Sequence, residues 1–243
     1  MNIDFSGKKV LITGGTKGIG KEIAKQYKNL HATVVITGVS DKTASEMEDG
    51  ILYETLHIDD QTNWTKRVDE IIEKYEGFDI CINNAGINKV SKIYELEKDD
   101  LNAILLTNLN APIYIASAVS QYMVKQRYGF IINIASIFGI VSKEGRNSYT
   151  ASKSGLIGVT KTMAIDLGQY NIFVNAVSPG FVDTELTRRV LGEEGMREVA
   201  HRVPMKKLAN TSDIVPVILF LTSEYNTYIT GQNIIIDGGF TLE

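Results

Sequence analysis

The stretch Lys9-Val-Leu-Ile-Thr-Gly-Gly-Thr-Lys-Gly-Ile-Gly20 decides the fold of this chain. It begins as a short apolar run that ends at Thr13 and then passes through a cluster of glycines. Helical spacing of apolar residues resumes over Glu22–Leu30. The pattern predicts a buried strand, a tight loop and a helix, in that order.

The same alternation continues along the rest of the chain, which predicts βαβ units and a parallel sheet of seven strands. The predicted strands are Lys9–Thr13, Thr33–Thr37, Tyr53–Ile58, Phe78–Ile82, Phe130–Ala135, Ile172–Ser178 and Asn233–Asp237. The predicted helices are Glu22–Leu30, Asp41–Glu48, Asn63–Tyr75, Asp99–Arg127, Tyr149–Tyr170 and Ser212–Thr222. No linker interrupts them, so residues 1–243 are expected to form a single domain.

Composition excludes several classes of protein. A net charge of -4 argues against nucleic-acid binding, because the charges of both signs are mixed along the chain. Cys81 is the only cysteine, which precludes an intrachain disulfide and fits a reduced cytoplasmic setting. The N-terminus does not resemble a signal peptide, and the longest apolar stretch, Ile214–Leu221, is too short to span a bilayer. We therefore expect no membrane association.

The glycine loop is suited to a pyrophosphate, because Gly14, Gly18 and Gly20 let the backbone approach closely at the start of a helix. A carboxylate after the second strand would bind the ribose of NAD, but residues 37–39 read Thr-Gly-Val. Lys17 and Ser40, with Lys42, could instead hold the 2′-phosphate of NADP. Asp41 opposes this interpretation if the strand runs longer than predicted. The sequence favours NADP(H) and leaves NAD(H) open.

Tyr149 and Lys153 lie four residues apart in a predicted helix, so their side chains leave the same face. An ammonium beside a phenol favours the phenolate, which predicts a lowered pKa for Tyr149 and a general acid–base role. Ser136 closes the apolar run Phe130–Ala135, at the strand end where parallel sheets bind ligands. Its hydroxyl could hold a substrate oxygen.

One long segment, residues 181–208, is charged and has few apolar residues. It is longer than an ordinary connection between a strand and a helix. Long connections at the ligand edge of a sheet are often lids, so we interpret it as a substrate-covering loop. A helical surface insertion without such a role is the alternative.

Together these features resemble the short-chain dehydrogenase/reductase family in its single-domain form. The resemblance covers essentially the whole chain. It rests on the glycine loop Thr13–Gly20, Asn83-Asn-Ala-Gly86, Asn108, Ser136, Tyr149-x-x-x-Lys153, and Pro179-Gly180 with Thr184 beyond. It implies an α/β, Rossmann-like three-layer fold and an NAD(P)(H)-dependent oxidoreductase that transfers hydride between the nicotinamide and a carbonyl or secondary alcohol.

The resemblance also implies residue roles. Tyr149 matches the proton donor or base, Ser136 the residue that orients the carbonyl oxygen, and Lys153 the lysine that lowers the tyrosine pKa and binds the nicotinamide ribose. Asn108 matches an asparagine that holds a water in a proton relay. No metal is implied, and His31, His57 and His201 lack ligand spacing.

The cofactor contacts are implied in the same way. His57 stands where the family often has Asp or Asn beside the adenine; Ile58 could supply a main-chain contact, and Asp59 is the alternative if the register differs by two. Thr184 matches the threonine that binds the carboxamide. The full predicted set is Gly14, Thr16, Lys17, Gly18, Ile19, Gly20, Ser40, His57, Ile58, Asn84, Ala85, Gly86, Tyr149, Lys153, Pro179, Gly180, Val182 and Thr184.

The substrate stays open. Residues 125–129, 228–231 and 237–239 resemble 3-oxoacyl-carrier-protein reductases, but the segment before Tyr149 departs from them. Arg127 matches one carrier-docking position, whereas Tyr170 replaces a second arginine. The alternative substrate is a small polar carbonyl compound such as a sugar or polyol derivative. Polar contacts to it could come from Lys143, Glu144 and Arg146.

Two further points concern class and assembly. A non-catalytic dinucleotide-binding regulator is disfavoured, because all four catalytic-type residues are intact. The resemblance implies a homotetramer built on the helices of Asn108 and Tyr149. Ile113, Ile115 and Val119 could face such a partner or pack against the sheet.

Overall fold

The computed structural model describes residues 2–40, 50–59 and 63–242. Its strands are β1 Lys9–Ile12, β2 Thr33–Gly38, β3 Ile51–Thr55, β4 Ile80–Asn83, β5 Gly129–Ile134, β6 Ile172–Pro179 and β7 Asn233–Ile236. Its α-helices are α1 Gly18–Asn29, α2 Trp64–Lys74, α3 Lys98–Leu105, α4 Ala111–Gln126, α5 Asn147–Gly168, α6 Glu185–Arg202 and α7 Thr211–Leu221. The predicted helix Asp41–Glu48, with Asp41 and Lys42, lies outside the described residues.

The sheet is parallel throughout, in the order β3-β2-β1-β4-β5-β6-β7. β1 pairs with β2 on one side and with β4 on the other, so the direction of winding reverses between β1 and β4. Ligands of open α/β sheets bind at such a reversal, beyond the carboxyl ends of the strands. The predicted Rossmann-like fold is confirmed, and the reversal places the glycine loop beside Asn83.

The core has two halves, one on each face of the sheet, because successive strand residues point to opposite faces. Ile12 and Ile36 pack on one side with α1 and α7, where the Tyr27 hydroxyl lies 2.6 Å from Thr222 Oγ1. Leu11 and Val35 pack on the other side with α2 and α4. Cys81 is fully buried on this second face. The fold therefore has three layers.

The predicted long helix is interrupted. A π-helical turn, Leu106–Asn110, separates α3 from α4. Within the described residues, Lys98–Gln126 is the one stretch long and apolar enough to cross a membrane, but 44% of its apolar window is buried inside the fold. Ile115 and Val119 belong to this buried part, so they pack on the sheet and cannot face a partner subunit.

The segment 181–208 is mainly helical rather than a loop. α6 occupies Glu185–Arg202 and changes direction at Gly192, whose φ of 65° and ψ of 177° are not helical. Its base is closed by backbone pairing of Val182 with Ala209, with Asp183 N donating to Ala209 O at 2.8 Å. The two ends of the segment are thus held together at the ligand edge of the sheet.

Candidate active site

Two glycines of the loop, Gly14 and Gly20, leave no room for a side chain. A Cβ on Gly14 would lie 2.9 Å from the Cα of Ala85, and one on Gly20 would lie 2.4 Å from Asn84 Nδ2 and 2.5 Å from Gly14 O. Gly14 and Gly18 also have positive φ angles of 64° and 53°. Thr16 and Ile19 lie in the same loop and first turn. The backbone itself therefore forms the surface of this cradle.

The N-terminus of α1 faces the cradle without a side-chain cap. Lys17 is its N-cap residue and accepts no capping hydrogen bond, and the first turn has no acidic residue. Uncapped amides and the positive end of the helix dipole attract an anion. The arrangement fits a pyrophosphate.

Asn84 and Ala85 hold the end of β4 against the glycine loop. Asn84 Nδ2 donates to Thr13 O and to Gly14 O, each at 3.0 Å. The amides of Asn84 and Ala85 both donate to Thr13 Oγ1 at 3.0 Å. Gly86 follows, and a Cβ there would lie 3.7 Å from Lys153 Nζ. Thr13 is thus buried and joins the cradle to this turn, although it was not among the residues predicted for the site.

The edge beyond β2 contains further predicted contacts. Tyr53 donates its hydroxyl proton to Ser40 O at 2.5 Å, and a Cβ on Gly38 would meet Thr16 and Tyr53. Lys17 Nζ lies 2.8 Å from Glu185 Oε2, at the first turn of α6. The Lys17 ammonium is therefore already paired across the cleft.

His57 and Ile58 come just after β3, which ends three residues earlier than predicted, at Thr55. Leu56 N donates to Gly38 O at 2.8 Å and so keeps this turn at the carboxyl edge of the sheet. Ile58 packs against the second core half, while His57 is exposed. His57 and Ile58 therefore lie at the carboxyl edge of the sheet, beside the ends of β2 and β3.

The far side of the cleft is formed by the end of β6. Gly180 N donates to Ile236 O at 2.8 Å, and a Cβ on Gly180 would lie 2.7 Å from Asp237 Cα. Thr184 caps α6, its Oγ1 accepting from Thr187 N at 3.2 Å. The Thr184 methyl lies 3.6 Å from the position of a Cβ on Gly18. Thr184 is thereby brought to the glycine loop, and Pro179, Gly180 and Val182 precede it at the end of β6.

Ser136 and Tyr149 meet at the centre of the edge. Ser136 Oγ accepts from Phe138 N at 3.1 Å, which leaves its proton free, and its side chain lies close enough to the Tyr149 phenol to lower the phenol's pKa. Burial nevertheless raises the pKa of Tyr149, and Ser136 and Arg146 only partly oppose this. The prediction of a lowered pKa was wrong for the protein in this structure.

The physical reason is the position of Lys153. Its ammonium donates to Ile134 O at 2.7 Å and lies 5.7 Å from the centroid of the Tyr149 ring. Lys153 is only 4% exposed, and burial lowers its pKa to about 8. The two side chains share a helix face as predicted, but the lysine is bonded to strand β5 rather than to the phenol.

Asn108 is fully buried in the π-helical turn. Its Oδ1 accepts from Ile87 N and its Nδ2 donates to Ile87 O, both at 2.9 Å. The same Nδ2 donates to Ser152 Oγ at 3.2 Å, and Ser152 donates in turn to Tyr149 O at 2.8 Å. Ser152 was not predicted as a site residue, although its position between Tyr149 and Lys153 could have indicated one. Asn108 therefore ties the turn after β4 to the Tyr149 helix.

The arrangement fits a bound nicotinamide dinucleotide: a backbone cradle for phosphates at one end and the Ser136, Tyr149 and Lys153 group at the other. In the part of the chain that the structure describes, His, Cys, Asp and Glu side chains form no group of three that could hold a metal ion.

Comparisons with known proteins agree with this geometry. The model of a family described as enoyl-(acyl carrier protein) reductase matches residues 14–241. The 3-oxoacyl-[acyl-carrier-protein] reductase FabG of Thermotoga maritima is 35% identical, over 98% of this chain and 99% of that protein.

Solved structures give the same result. A short chain dehydrogenase/reductase family protein superposes with a TM-score of 0.89 at 28% identity, covering 98% of this chain and 100% of that one. A gluconate 5-dehydrogenase from Burkholderia cenocepacia, in complex with NADP and tartrate, has a TM-score of 0.91 at 26% identity, over 99% and 97% of the two chains. The chain belongs to the short-chain dehydrogenase/reductase family and is an NAD(P)(H)-dependent oxidoreductase that transfers hydride between the nicotinamide and a carbonyl or secondary alcohol.

Proposed function

We propose that the protein reduces a small polar carbonyl compound, or oxidises the matching alcohol, with Tyr149 as general acid–base. The observation that carries the proposal is the meeting of Ser136, Tyr149 and Lys153 at one sheet edge. When bound, the nicotinamide supplies or accepts the hydride. The chain would then hold the substrate and move the proton.

In reduction, Ser136 donates a hydrogen bond to the carbonyl oxygen and holds it beside the phenol. Tyr149 gives its proton to that oxygen as the bond to hydride forms; in oxidation the phenolate takes it back. A raised pKa keeps Tyr149 protonated at neutral pH, which suits the reductive direction. Lys153, charged below its pKa of about 8, would stabilise the phenolate that remains and would hold the nicotinamide ribose.

Asn108 is proposed to complete the proton relay. Its side-chain amide is bonded to Ile87 and Ser152, so one remaining lone pair of Oδ1 or a nearby main-chain carbonyl would have to hold the water. We therefore propose that Asn108 mainly positions the Tyr149 helix and, in addition, takes part in the proton relay.

We propose NADP(H) as the preferred cofactor. No carboxylate stands among Thr37, Gly38 and Val39 at the end of β2, so a 2′-phosphate would meet no repulsion there. Lys17 and Ser40 lie at the same edge. The gluconate 5-dehydrogenase neighbour was solved with NADP, which supports this choice.

We also propose that residues 1–243 form one domain in which segment 181–208 covers the substrate, and that the cytoplasmic enzyme is a homotetramer. Phe181 packs edge-on against Phe138, with ring centroids 5.9 Å apart, and Phe138 packs against Tyr149 at 6.4 Å. Movement of the segment would therefore shift the rings that pack beside Tyr149, the proposed acid.

The proposed tetramer rests on a separate observation. Ile165, on the outer face of α5, is 78% exposed and favours an α5-centred subunit contact.

Reduction of 3-oxoacyl thioesters on a carrier protein is the second candidate, and the 35% identity to FabG favours it. Against it, the exposed Arg127 already makes contacts within the chain that an acidic carrier would have to share or displace. Its Nη2 donates to Gln169 O at 2.9 Å, and its guanidinium lies 5.9 Å from the centroid of the Tyr170 ring.

The test compares NADPH and NADH oxidation with a short 3-oxoacyl thioester and with a panel of keto-sugars and keto-acids. Tyr149→Phe is the inactive variant, and Tyr94→Phe, at an exposed site, is the matched control. We expect activity on the polar panel, with NADPH preferred, and a loss of about a thousandfold in Tyr149→Phe only. Turnover confined to the thioester would select the second candidate, and undiminished activity in Tyr149→Phe would refute both.

A further inference from the structure

Arg146 is a buried cation immediately before the Tyr149 helix. It is 6% exposed, and its guanidinium carbon lies 5.2 Å from the centroid of the Phe138 ring. Phe138 in turn packs edge-on against Tyr149. The guanidinium therefore lies within the aromatic wall of the site rather than in bulk solvent.

The backbone of Arg146 is held firmly. Ser91 forms a parallel bridge with Arg146, Ser91 N donates to Gly145 O at 3.0 Å, and Asn147 Nδ2 donates to Ser91 O at 2.9 Å. A Cβ on Gly145 would lie 2.7 Å from Val90 Cγ1, so the two segments are in close contact. The Arg146 side chain is thus presented to the site from a fixed point.

No acceptor for the Arg146 guanidinium is found among residues 2–40, 50–59 and 63–242: it has neither an ion pair nor a side-chain hydrogen bond there. The nearest acid in sequence, Glu144, is paired with Lys92 at 3.3 Å. Burial lowers the pKa of Arg146, and Tyr149 is the one ionisable group that opposes this change. A buried charge is costly unless it is paired. The N–H groups of this guanidinium are therefore available to an anionic ligand.

A second unpartnered group lies on the segment that pairs with Arg146. Asn88 Oδ1 is buried and has no hydrogen-bond partner among the residues that the structure describes. Asn88 directly follows Ile87, whose backbone is fixed by Asn108. A buried amide oxygen is satisfied by a hydroxyl or an N–H donor.

We propose that Arg146 binds a carboxylate of the substrate and that Asn88 Oδ1 accepts a hydrogen bond from one of its hydroxyl groups. The substrate class is therefore a keto acid or hydroxy acid with a free carboxylate. A guanidinium can bind a carboxylate through two parallel hydrogen bonds, which fixes the orientation of the substrate as well as its charge. This inference rests on the proposed oxidoreductase site and names the substrate class that the site accepts.

The experiment compares matched acids and neutral analogues. Acetoacetate is paired with its methyl ester and a ketogluconate with fructose, and kcat/KM is measured with NADPH. Succinate and succinamide, which cannot be reduced, are titrated calorimetrically into protein saturated with NADP⁺. The variants are Arg146→Gln, Arg146→Lys and the control Lys25→Gln, which removes an exposed positive charge from α1.

We expect the wild type to prefer the acid of each pair and to bind succinate but not succinamide. Arg146→Gln should lose about tenfold to a hundredfold on acids and little on neutral analogues, since a charge-assisted pair contributes about that much. Arg146→Lys should retain part of the preference, and Lys25→Gln should behave as wild type.

The outcomes separate this inference from the proposed function. Equal turnover of acids and neutral analogues, or an equal loss on both in Arg146→Gln, overturns the carboxylate site while the oxidoreductase site stands. Arg146-dependent binding of succinate without turnover of any carbonyl supports the carboxylate site and contradicts the proposed substrate range. Absence of both carboxylate binding and acid preference in the wild type overturns the inference without reference to any variant.

Discussion

The Lys153 ammonium donates a hydrogen bond to the carbonyl oxygen of Ile134 at 2.7 Å. Ile134 is the last residue of β5, two residues before Ser136. The same strand end thus positions the proposed substrate-orienting hydroxyl and the lysine. Because the ammonium itself is buried, the charged form of Lys153 is disfavoured, and its pKa falls to about 8.

Replacing Lys153 by Met should change how stability depends on pH. The pKa of Lys153 is lower in the folded protein than its ordinary value of 10.5, so the buried charge costs stability below pH about 8. The cost disappears as pH rises towards 10.5 because the unfolded chain then binds more protons. Relative to Lys153→Met, the wild type should gain about 3 kcal/mol over this range. Urea unfolding of both proteins at several pH values measures the difference.

The lost bond to Ile134 shifts the stability of Lys153→Met equally at every pH, so it does not affect the slope. A difference between the two proteins that stays constant from pH 7 to pH 10 would mean that Lys153 is not the group that titrates. Arg127→Met, at an exposed cation, is the control and should show no such slope.

Asn108→Leu should destabilise the protein by several kcal/mol. The change removes both bonds from the fully buried Asn108 to the part-buried backbone of Ile87, and a polar group that is left unsatisfied out of water costs about 1 to 3 kcal/mol. Ser152→Ala removes one hydroxyl that Asn108 and Tyr149 share and should cost only about 1 kcal/mol. Thermal unfolding of the two single variants and the double variant tests this.

A purely local role for Asn108 would give additive effects. We expect non-additivity, because both residues belong to one hydrogen-bond network. In activity assays Asn108→Leu should lower kcat more than it changes KM, since the Tyr149 helix loses its tie to the turn after β4. Equal unfolding temperatures for Asn108→Leu and the wild type would contradict the network.

Much of the fold was readable because buried strands are continuous apolar runs and the helices between them keep a 3.6-residue period. The apolar runs do not reveal the hydrogen bonds of the polar residues within the strands. Asn83 and Asn133 lie within strands and donate across the core, Asn83 to Asn133 at 2.9 Å and Asn133 to Thr160 at 2.9 Å. Their partners are distant in sequence, so no local pattern could reveal them.

In the candidate site, too, the sequence pattern predicted some features and could not reveal others. The spacing of Tyr149 and Lys153 predicted a shared face, and they share one. Spacing could not show that the phenol is buried, which raises the pKa of Tyr149, or that Lys153 bonds to a strand carbonyl instead. Nor could it tell which face of the long helix holds Ile115 and Val119, because the π-helical turn rotates the helix after Asn108.

Gly20→Ala should abolish cofactor binding, whereas Gly18→Ala should weaken it moderately. A Cβ on Gly20 would meet the backbone oxygen of Gly14 at 2.5 Å, and backbone cannot move aside without deforming the cradle. Gly18 has room for a Cβ but a φ of 53°, which costs an alanine about 1 kcal/mol. Fluorescence titration with NADPH distinguishes the two. Similar affinities would show that the cradle does not bind the phosphates.

Ile165→Glu should dissociate the proposed tetramer. Ile165 is 78% exposed on α5, and a carboxylate buried there between subunits would lack a partner. Leu52→Glu, at an edge strand on the other side of the sheet, is the control. Light scattering should give a fourfold smaller mass or a dimer for Ile165→Glu only. An unchanged mass would place the subunit contact elsewhere.

Glu185→Gln should raise the affinity for NADPH and leave the affinity for NADH unchanged. Lys17 is paired with Glu185 at 2.8 Å, and a 2′-phosphate at the end of β2 would have to compete with that carboxylate for the ammonium. Both side chains are exposed, so the pair is weak and the gain should be only about two- to fivefold. Affinities measured at low and high salt should converge, because screening removes the contribution of exposed charges. Lys17→Ala should act in the opposite direction on NADPH alone, and an equal effect of either change on NADH would show that Lys17 does not bind the 2′-phosphate.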